Sequence, residues 1–242
     1  MDGIDGNGSR VIVVDNLSYR YPDGTEALKS VSFGVRRGEC LGIVGGNGAG
    51  KSTLLLHLNG ILEGNSGEIF VLGMRVEKKN LKTIRQKLGL VFQNPEDQLF
   101  SATLYDDIAF GPRNMGVEGE ELERIVDETL RYFKLERYRD KNPYHLSFGE
   151  KKIAAIATIY SMRPEIYCFD EPTSNLDPRS RREIVEILGG IDKTRLIVTH
   201  DIELVRELCE RVMVLNRGVV ESIGAVEDVF SDRKLLLRAR LA

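Results

Sequence analysis

Cysteine is scarce in this chain, and no apolar run is long. Cys40, Cys168 and Cys209 form an odd, widely spaced set without a C-x-x-C pair. That pattern indicates neither a disulfide framework nor a zinc site. Cys168 lies in an apolar run and reads as a small core hydrophobe, and the set fits a reducing cytosol. No apolar stretch approaches the ~18 residues that suggest a membrane span. The opening MDGIDGNGSR has neither the basic nor the apolar region of a signal peptide, so a role at a membrane is expected only through a partner. Internal repeats and low-complexity segments are also missing. The formal net charge of −3 gives no basic face for a phosphate backbone, so nucleic acid is not an expected partner.

What is present is a globular composition, 42% hydrophobic and 29% charged, enough for one large domain or one domain with a sub-domain. Residues 1–9 are rich in Gly, Asp and Asn and read as mobile. VIVVDNLSYRY and ALKSVSFGV alternate like strands around the turn at Pro22-Asp23-Gly24. CLGIVG, GEIFVLG and LGLVFQ read as further strands, and Lys51 to Gly60 as a helix closed by glycine. The middle is mostly helical: Leu122, Ile125, Val126, Leu130 and Phe133 follow helical spacing, and Ile153, Ile156, Ala157 and Tyr160 share a face of a helix from Ser147 to Tyr160. Strands and helices then alternate again through IYCFD, RLIVTH and RVMVLN, which argues for a mainly parallel sheet.

GGNGAGKST carries the strongest chemical signal. Gly45, Gly46, Asn47, Gly48, Ala49, Gly50, Lys51, Ser52 and Thr53 match the phosphate-loop pattern G-x-x-x-x-G-K-[ST], after a strand and at the start of a helix. Glycines let successive N–H groups face a phosphate, and the helix terminus adds partial positive charge. Lys51 is expected to reach the β- and γ-phosphates of a nucleotide and Ser52 to bind Mg²⁺. The strand IYCFD delivers Asp170 beside that loop, where an acid suits Mg²⁺, and Glu171 follows, placed to polarise a water. His200 ends another strand, within reach of a γ-phosphate. LSFGE reads as the capping box S-x-x-E, with Ser147 capping a helix and Glu150 reaching back.

Together these residues resemble the ATP-binding-cassette (ABC) family over residues 10–230. The resemblance implies an α/β P-loop NTPase fold of the ABC ATPase type: a mainly parallel core sheet, an N-terminal antiparallel β-subdomain and an inserted helical subdomain. It implies a single ABC ATPase domain over 1–242, with core 10–93 and 163–230, helical insert about 94–162 and helical tail 225–242. GGNGAGKST looks like Walker A and IYCFD like Walker B, with Glu171 the catalytic base. SNLD at 174–177 looks like the D-loop and His200 like the switch histidine. Gln93 looks like the Q-loop glutamine, a further contact for the Mg²⁺ of bound ATP. Tyr21 sits where the family places an aromatic on adenine, with Tyr19 the competitor. LSFGE resembles the signature LSGGQ that closes on the ATP of the opposite subunit. Ser147 and Gly149 are retained, but Phe148 stands for a glycine and Glu150 for the glutamine. That departure implies weaker or slower closure, unless the Glu150 carboxylate turns back onto its own backbone.

NPEDQLF and DDIAFGP more narrowly resemble the ATPases of energy-coupling-factor importers, which serve vitamin, cobalt or nickel uptake. Leu99 and Phe100 beside Glu96, Asp97, Asp106 and Asp107 would suit a groove for a basic amphipathic helix. The implied role is ATP-driven import from the cytoplasmic face of the membrane. The implied partners are a second ABC ATPase chain, as homodimer or heterodimer, with transmembrane energy-coupling and substrate-binding subunits. The rivals are a non-transport ABC ATPase and a regulatory switch of low turnover. The tail 225–242 reads equally as a dimerisation element or a surface helix.

Overall fold

The computed structural model describes residues 10–241. The mobility expected of residues 1–9 lies outside the described residues. β1 (Arg10–Arg20) and β2 (Glu26–Arg36) pair antiparallel, with Val13 opposite Gly34, and β1 pairs on its other edge with β4 (Ser66–Val71). With β5 (Met74–Arg75) they make a small sheet of order β2-β1-β4-β5. The main sheet comprises β3 (Cys40–Val44), β6 (Leu88–Val91), β7 (Ile166–Asp170), β8 (Thr194–Thr199), β9 (Arg211–Asn216) and β10 (Val219–Ala225). Its order is β10-β9-β3-β8-β7-β6. All its neighbours run parallel except β10, which returns antiparallel along β9. β3, β6 and β7 are buried at every position, which is why they read as unbroken apolar runs.

Nine α-helices cover the described residues. α1 (Lys51–Leu58) and α2 (Leu81–Lys87) belong to the first half of the chain. β6 and β7 are sheet neighbours, yet α3 (Leu104–Asn114), α4 (Gly119–Tyr132) and α5 (Phe148–Tyr160) lie between them in sequence. These helices are an excursion between two paired strands. α6 (Pro178–Gly189), α7 (Ile202–Leu208), α8 (Val226–Ser231) and α9 (Arg233–Arg238) complete the set.

α4 buries Leu122, Ile125, Val126 and Leu130, with Phe133 just past its end, as the spacing predicts. α5 differs from the one-faced helix expected of it. Gly149 is buried, and so is every residue from Lys151 to Thr158, both lysines included. The cause is position: α5 contacts α3 and α4, α6 and β6. A leucine-sized side chain buried in such a core contributes about 1.5–3 kcal/mol, so the helix is fixed on all sides.

Most of the tail's apolar residues pack within its own chain, while Leu237 is exposed. Leu235, Leu236 and Ala239 join Val44, Val214 and Phe230 in a separate core, and the Ala239 carbonyl accepts from the Gly46 amide at 3.1 Å. Cys168 is fully buried, as expected of a core hydrophobe. Cys40 and Cys209, 169 positions apart, are brought together with sulfurs 3.3 Å apart as free thiols.

Candidate functional site

The sheet order sets the site. β3, β8 and β7 are adjacent and parallel, so the loops leaving their C-terminal ends share one edge, where open α/β sheets bind ligands. β3 feeds the glycine loop and α1. β7 ends in Asp170 and leads to Glu171, and β8 ends in Thr199 and leads to His200.

In the loop, Asn47 and Gly48 form the exposed tip, Ala49 is buried beneath them, and Gly46 and Gly50 are half-buried. Gly50 has φ +103, and a Cβ there would lie 2.4 Å from the Ala27 carbonyl oxygen, so both conformation and space demand glycine. Lys51 is 7% exposed. Its Nζ donates to the Gly45 carbonyl at 2.8 Å and lies 3.6 Å from Glu171 Oε1. The ammonium therefore sits at the mouth of the loop, between backbone carbonyls and the acid.

Glu171 is 5% exposed and held from three sides. Thr199 Oγ1 donates to Oε2 at 3.0 Å, His200 Nδ1 lies 2.9 Å from Oε1, and Lys51 flanks it. Thr199 escaped the motif reading, although it sits within VTHD. Asp170 is 7% exposed, and its Oδ1 is buried with no hydrogen-bond partner among the described residues. Burial pushes its carboxyl above the ordinary aspartate range, while the Ser52 hydroxyl pulls the other way. An unspent carboxylate oxygen beside a serine hydroxyl is a hard-oxygen donor set of the kind a magnesium ion uses.

Tyr21 and Tyr19 separate by their contacts. The Tyr21 hydroxyl hydrogen-bonds Thr53 Oγ1 at 2.9 Å, at the start of α1. Tyr19 packs against the core, with its ring 4.6 Å from that of buried His57. Gln93 is exposed on the loop leaving β6. The glutamine wired into the fold is Gln98, which sequence reasoning passed over. Its amide donates to the Ala155 carbonyl and Thr158 Oγ1, both at 2.7 Å, and its carbonyl accepts from the Phe92 amide. It ties the loop after β6 to α5, and Lys151 of α5 adds a 2.6 Å ion pair to Glu96.

LSFGE forms the capping box. Ser147 caps α5, and Glu150 Oε2 accepts from the Ser147 amide at 2.9 Å and hydroxyl at 2.8 Å. Glu150 Oε1 accepts from Tyr138 and Arg137. Burial works against ionisation, but hydrogen bonds from Tyr138 and Ser147 outweigh it and hold the carboxyl below the ordinary glutamate range. The carboxylate is turned back onto its own chain, its charge shared among Ser147, Tyr138 and Arg137. Gly149 packs so closely on α6 that a Cβ would lie 2.6 Å from Ser180 Oγ.

Glu150→Gln is therefore expected to leave ATP turnover unraised and to destabilise the fold by about 1 kcal/mol, because charged hydrogen bonds become neutral ones. The gap is full above the ordinary glutamate pKa and closes as pH falls through the lower folded value. Thermal melting at several pH values checks it; a faster variant of equal stability would contradict it.

A profile of the ABC transporter family matches residues 28–174. The chain belongs to the ABC transporter family. It is 48% identical over 228 residues to a putative ABC transporter ATP-binding protein of Streptomyces coelicolor, covering 94% of this chain and 88% of that one. It is 48% identical to the energy-coupling factor transporter ATP-binding protein EcfA of Methanothermobacter thermautotrophicus, over 96% of this chain and 76% of that one. Among solved structures it resembles CbiO1 of Clostridium perfringens, part of the complex CbiONQ, with TM-score 0.82, 39% identity and 96% of each chain covered. It also resembles an ATP-binding cassette solved as a dimer in a post-hydrolysis state bound to ADP and Pi, with TM-score 0.81 and 29% identity over 89% of this chain and 98% of that one. The fold is the P-loop NTPase fold of ABC cassettes, and the chain is an ABC transporter ATP-binding subunit, an ATPase. Among the described residues no helix is long and apolar enough to cross a membrane.

Proposed function

We propose that this ATPase works as one of two caging chains of an energy-coupling-factor importer, with Glu171 as its general base. The observation that carries this reading is the cluster of buried Lys51, Glu171 and Thr199, with His200 exposed above them, at the ends of β3, β7 and β8. When a triphosphate enters, Lys51 exchanges the Gly45 and Gly46 carbonyls for phosphate oxygens. Gly48 to Thr53 cradle the phosphates and Tyr21 stacks on the adenine. Ser52 and Asp170, with Gln93 from the loop after β6, would hold the magnesium ion, which neutralises charge developing on the phosphates. Glu171, fixed by Thr199, takes the proton of the attacking water, and His200 donates to the γ-phosphate. Gly149 and Ser147, whose own N–H is spent on Glu150, cover the nucleotide held by the second chain, where the start of α5 presents a helix N-terminus.

The importer reading rests on the groove. A space of about 860 Å³ lies between α2, α3, α5 and the loop after β6, lined by Phe100, Phe110, Met115, Asp97 and Asp107. Phe100 is 65% and Phe110 50% exposed, and their rings meet edge to face at 5.1 Å. Such a pair on the surface of a charged protein suits a partner. The four acids expected to line it divide. Glu96 pairs with Lys151, and Asp106 is spent on Thr103 and Arg113. Asp97 and Asp107 line the groove, Asp97 exposed and Asp107 buried with its Oδ1 accepting from the Phe100 and Ser101 amides. Burial raises the Asp107 carboxyl, and its Oδ2 has no partner among the described residues. Lys82 and Arg85 stand on another wall, but Arg85 is tied to the Asn59 and Gly60 carbonyls. The chemistry fits an apolar helix face carrying one cation, from a membrane subunit. The solute is then a metal ion such as cobalt or nickel, or a vitamin, and the chain is peripheral on the cytoplasmic face.

Affinity purification of the chain from detergent-solubilised host membranes tests this. The expected result is an integral membrane subunit and a second ATPase chain, the membrane subunit being lost with Phe100→Asp/Phe110→Asp. That exposed double variant should still melt at the parent temperature, because surface changes shift stability by only about 0.5 kcal/mol. Recovery of the chain without any membrane protein would refute the reading.

A further inference from the structure

Among the described residues Lys152 is the largest fully buried side chain, 1% exposed, in α5. A buried ammonium is costly, and burial pushes its pKa down to about 8 against the pull of the Glu171 and Asp170 carboxylates. Among the described residues it forms no ion pair. Its Nζ instead donates to the Glu171 carbonyl at 2.8 Å and approaches Ser174 Oγ at 3.3 Å. The Ser174 hydroxyl donates to the same carbonyl at 2.9 Å. The Phe148 ring, the residue that departs from the usual signature, lies 5.8 Å from the ammonium.

What these donors hold is unusual. Glu171 has φ +45, a left-handed backbone conformation that a long side chain adopts only under constraint. Its amide is pinned to the Val198 carbonyl at 2.8 Å, and its carbonyl is pinned by Lys152 and Ser174. That twist aims the carboxylate at Thr199 and His200. A methionine at 152 would fill similar space without the desolvation cost, and apolar replacements of buried charges are often neutral or stabilising. The ammonium therefore does something packing does not require.

We propose that Lys152 is a positioning residue that holds the strained backbone of Glu171, so that the seating of α5 sets the aim of the base. The inference rests on the reading of Glu171 as base and of the start of α5 as the nucleotide cover. α5 caps the nucleotide of the second chain, whereas Glu171 serves the nucleotide of its own. Lys152 thus joins the two sites through one side chain, and a shift of α5 on closure reaches the base directly.

Steady-state Mg·ATP hydrolysis by Lys152→Met, Lys152→Gln and Ser174→Ala, in the assembly that turns over, tests this, alongside melting and binding of a fluorescent ATP analogue. Lys152→Met should bind nucleotide within about twofold of the parent and lose about 10- to 100-fold in kcat, the cost of a misaimed group. Lys152→Gln, which keeps a donor, should recover part of the loss, and Ser174→Ala should lower kcat about threefold at unchanged KM. In a Glu171→Gln background, Lys152→Met should add no further loss. Parental kcat in Lys152→Met, a change confined to KM, or additive losses in the double variant would each overturn the inference. If Lys152→Met does not fold, Ser174→Ala decides, with unchanged kcat as the refuting result. Normal turnover by Glu171→Gln would instead remove the base assignment itself. A dead Glu171→Gln beside a normal Lys152→Met refutes only the role of Lys152.

Discussion

Glu171→Gln is expected to cut ATP turnover about 100- to 10,000-fold while nucleotide still binds. Glutamine keeps the shape of the side chain and can still accept from Thr199, which donates to Oε2 at 3.0 Å. It cannot take a proton from water, and it removes the negative charge 3.6 Å from Lys51 Nζ. Binding and closure need neither property, so the variant should accumulate as an ATP-bound dimer, visible by size exclusion with Mg·ATP and absent with ADP. Normal hydrolysis by this variant would move the base elsewhere. A variant that neither hydrolyses nor binds would make Glu171 part of the binding pocket instead. The isosteric substitution matters because a buried site is sensitive to shape: alanine would open a cavity beside Lys51 and Thr199 and confuse chemistry with packing.

Much of this site was legible because its residues lie in short, local patterns. The glycine loop, Lys51 and Ser52 are contiguous, and the apolar runs CLGIV and IYCFD mark strands buried on both faces. The capping box in LSFGE needs only four consecutive residues, so its closure could be read before any tertiary contact was known. Contacts between distant segments were not legible. Gln98 finds Ala155 57 positions away, and Lys152 finds Glu171 19 positions away. Each lysine of α5 looks like an ordinary surface charge until α3, α4 and α6 surround the helix. The acids of NPEDQLFSATLYDD looked alike in sequence, yet Glu96, Asp106 and Asp107 take internal partners while Asp97 stays exposed at the groove. Side-chain pairing over such separations is decided by packing, which periodicity does not report.

Lys51→Ala is expected to abolish measurable ATP binding and, with it, hydrolysis. The Lys51 ammonium is 7% exposed and aimed into the loop mouth, where its hydrogen bonds go to the Gly45 and Gly46 carbonyls. Replacing those carbonyls with phosphate oxygens exchanges neutral acceptors for charged ones, roughly doubling each hydrogen bond in strength. No other cation among the described residues contacts these loop carbonyls, so the loss should not be compensated. A thermal readout separates binding from catalysis. At 100 times its dissociation constant, a ligand that binds only the folded state stabilises it by about 2.7 kcal/mol, a rise of several degrees for a chain of this size. The parent should show that rise with Mg·ATP and Lys51→Ala should show none. The variant without ligand should melt below the parent, because Glu171 loses its buried cationic neighbour, so each protein is compared with its own ligand-free state. Truncation frees the Gly45 carbonyl, which costs about 1–3 kcal/mol if it stays dry, but water entering from the exposed loop tip at Asn47 and Gly48 can satisfy it. An undiminished ATP-dependent rise in Lys51→Ala would mean that the triphosphate does not sit in this loop. The geometry built around Glu171 would then serve some other ligand.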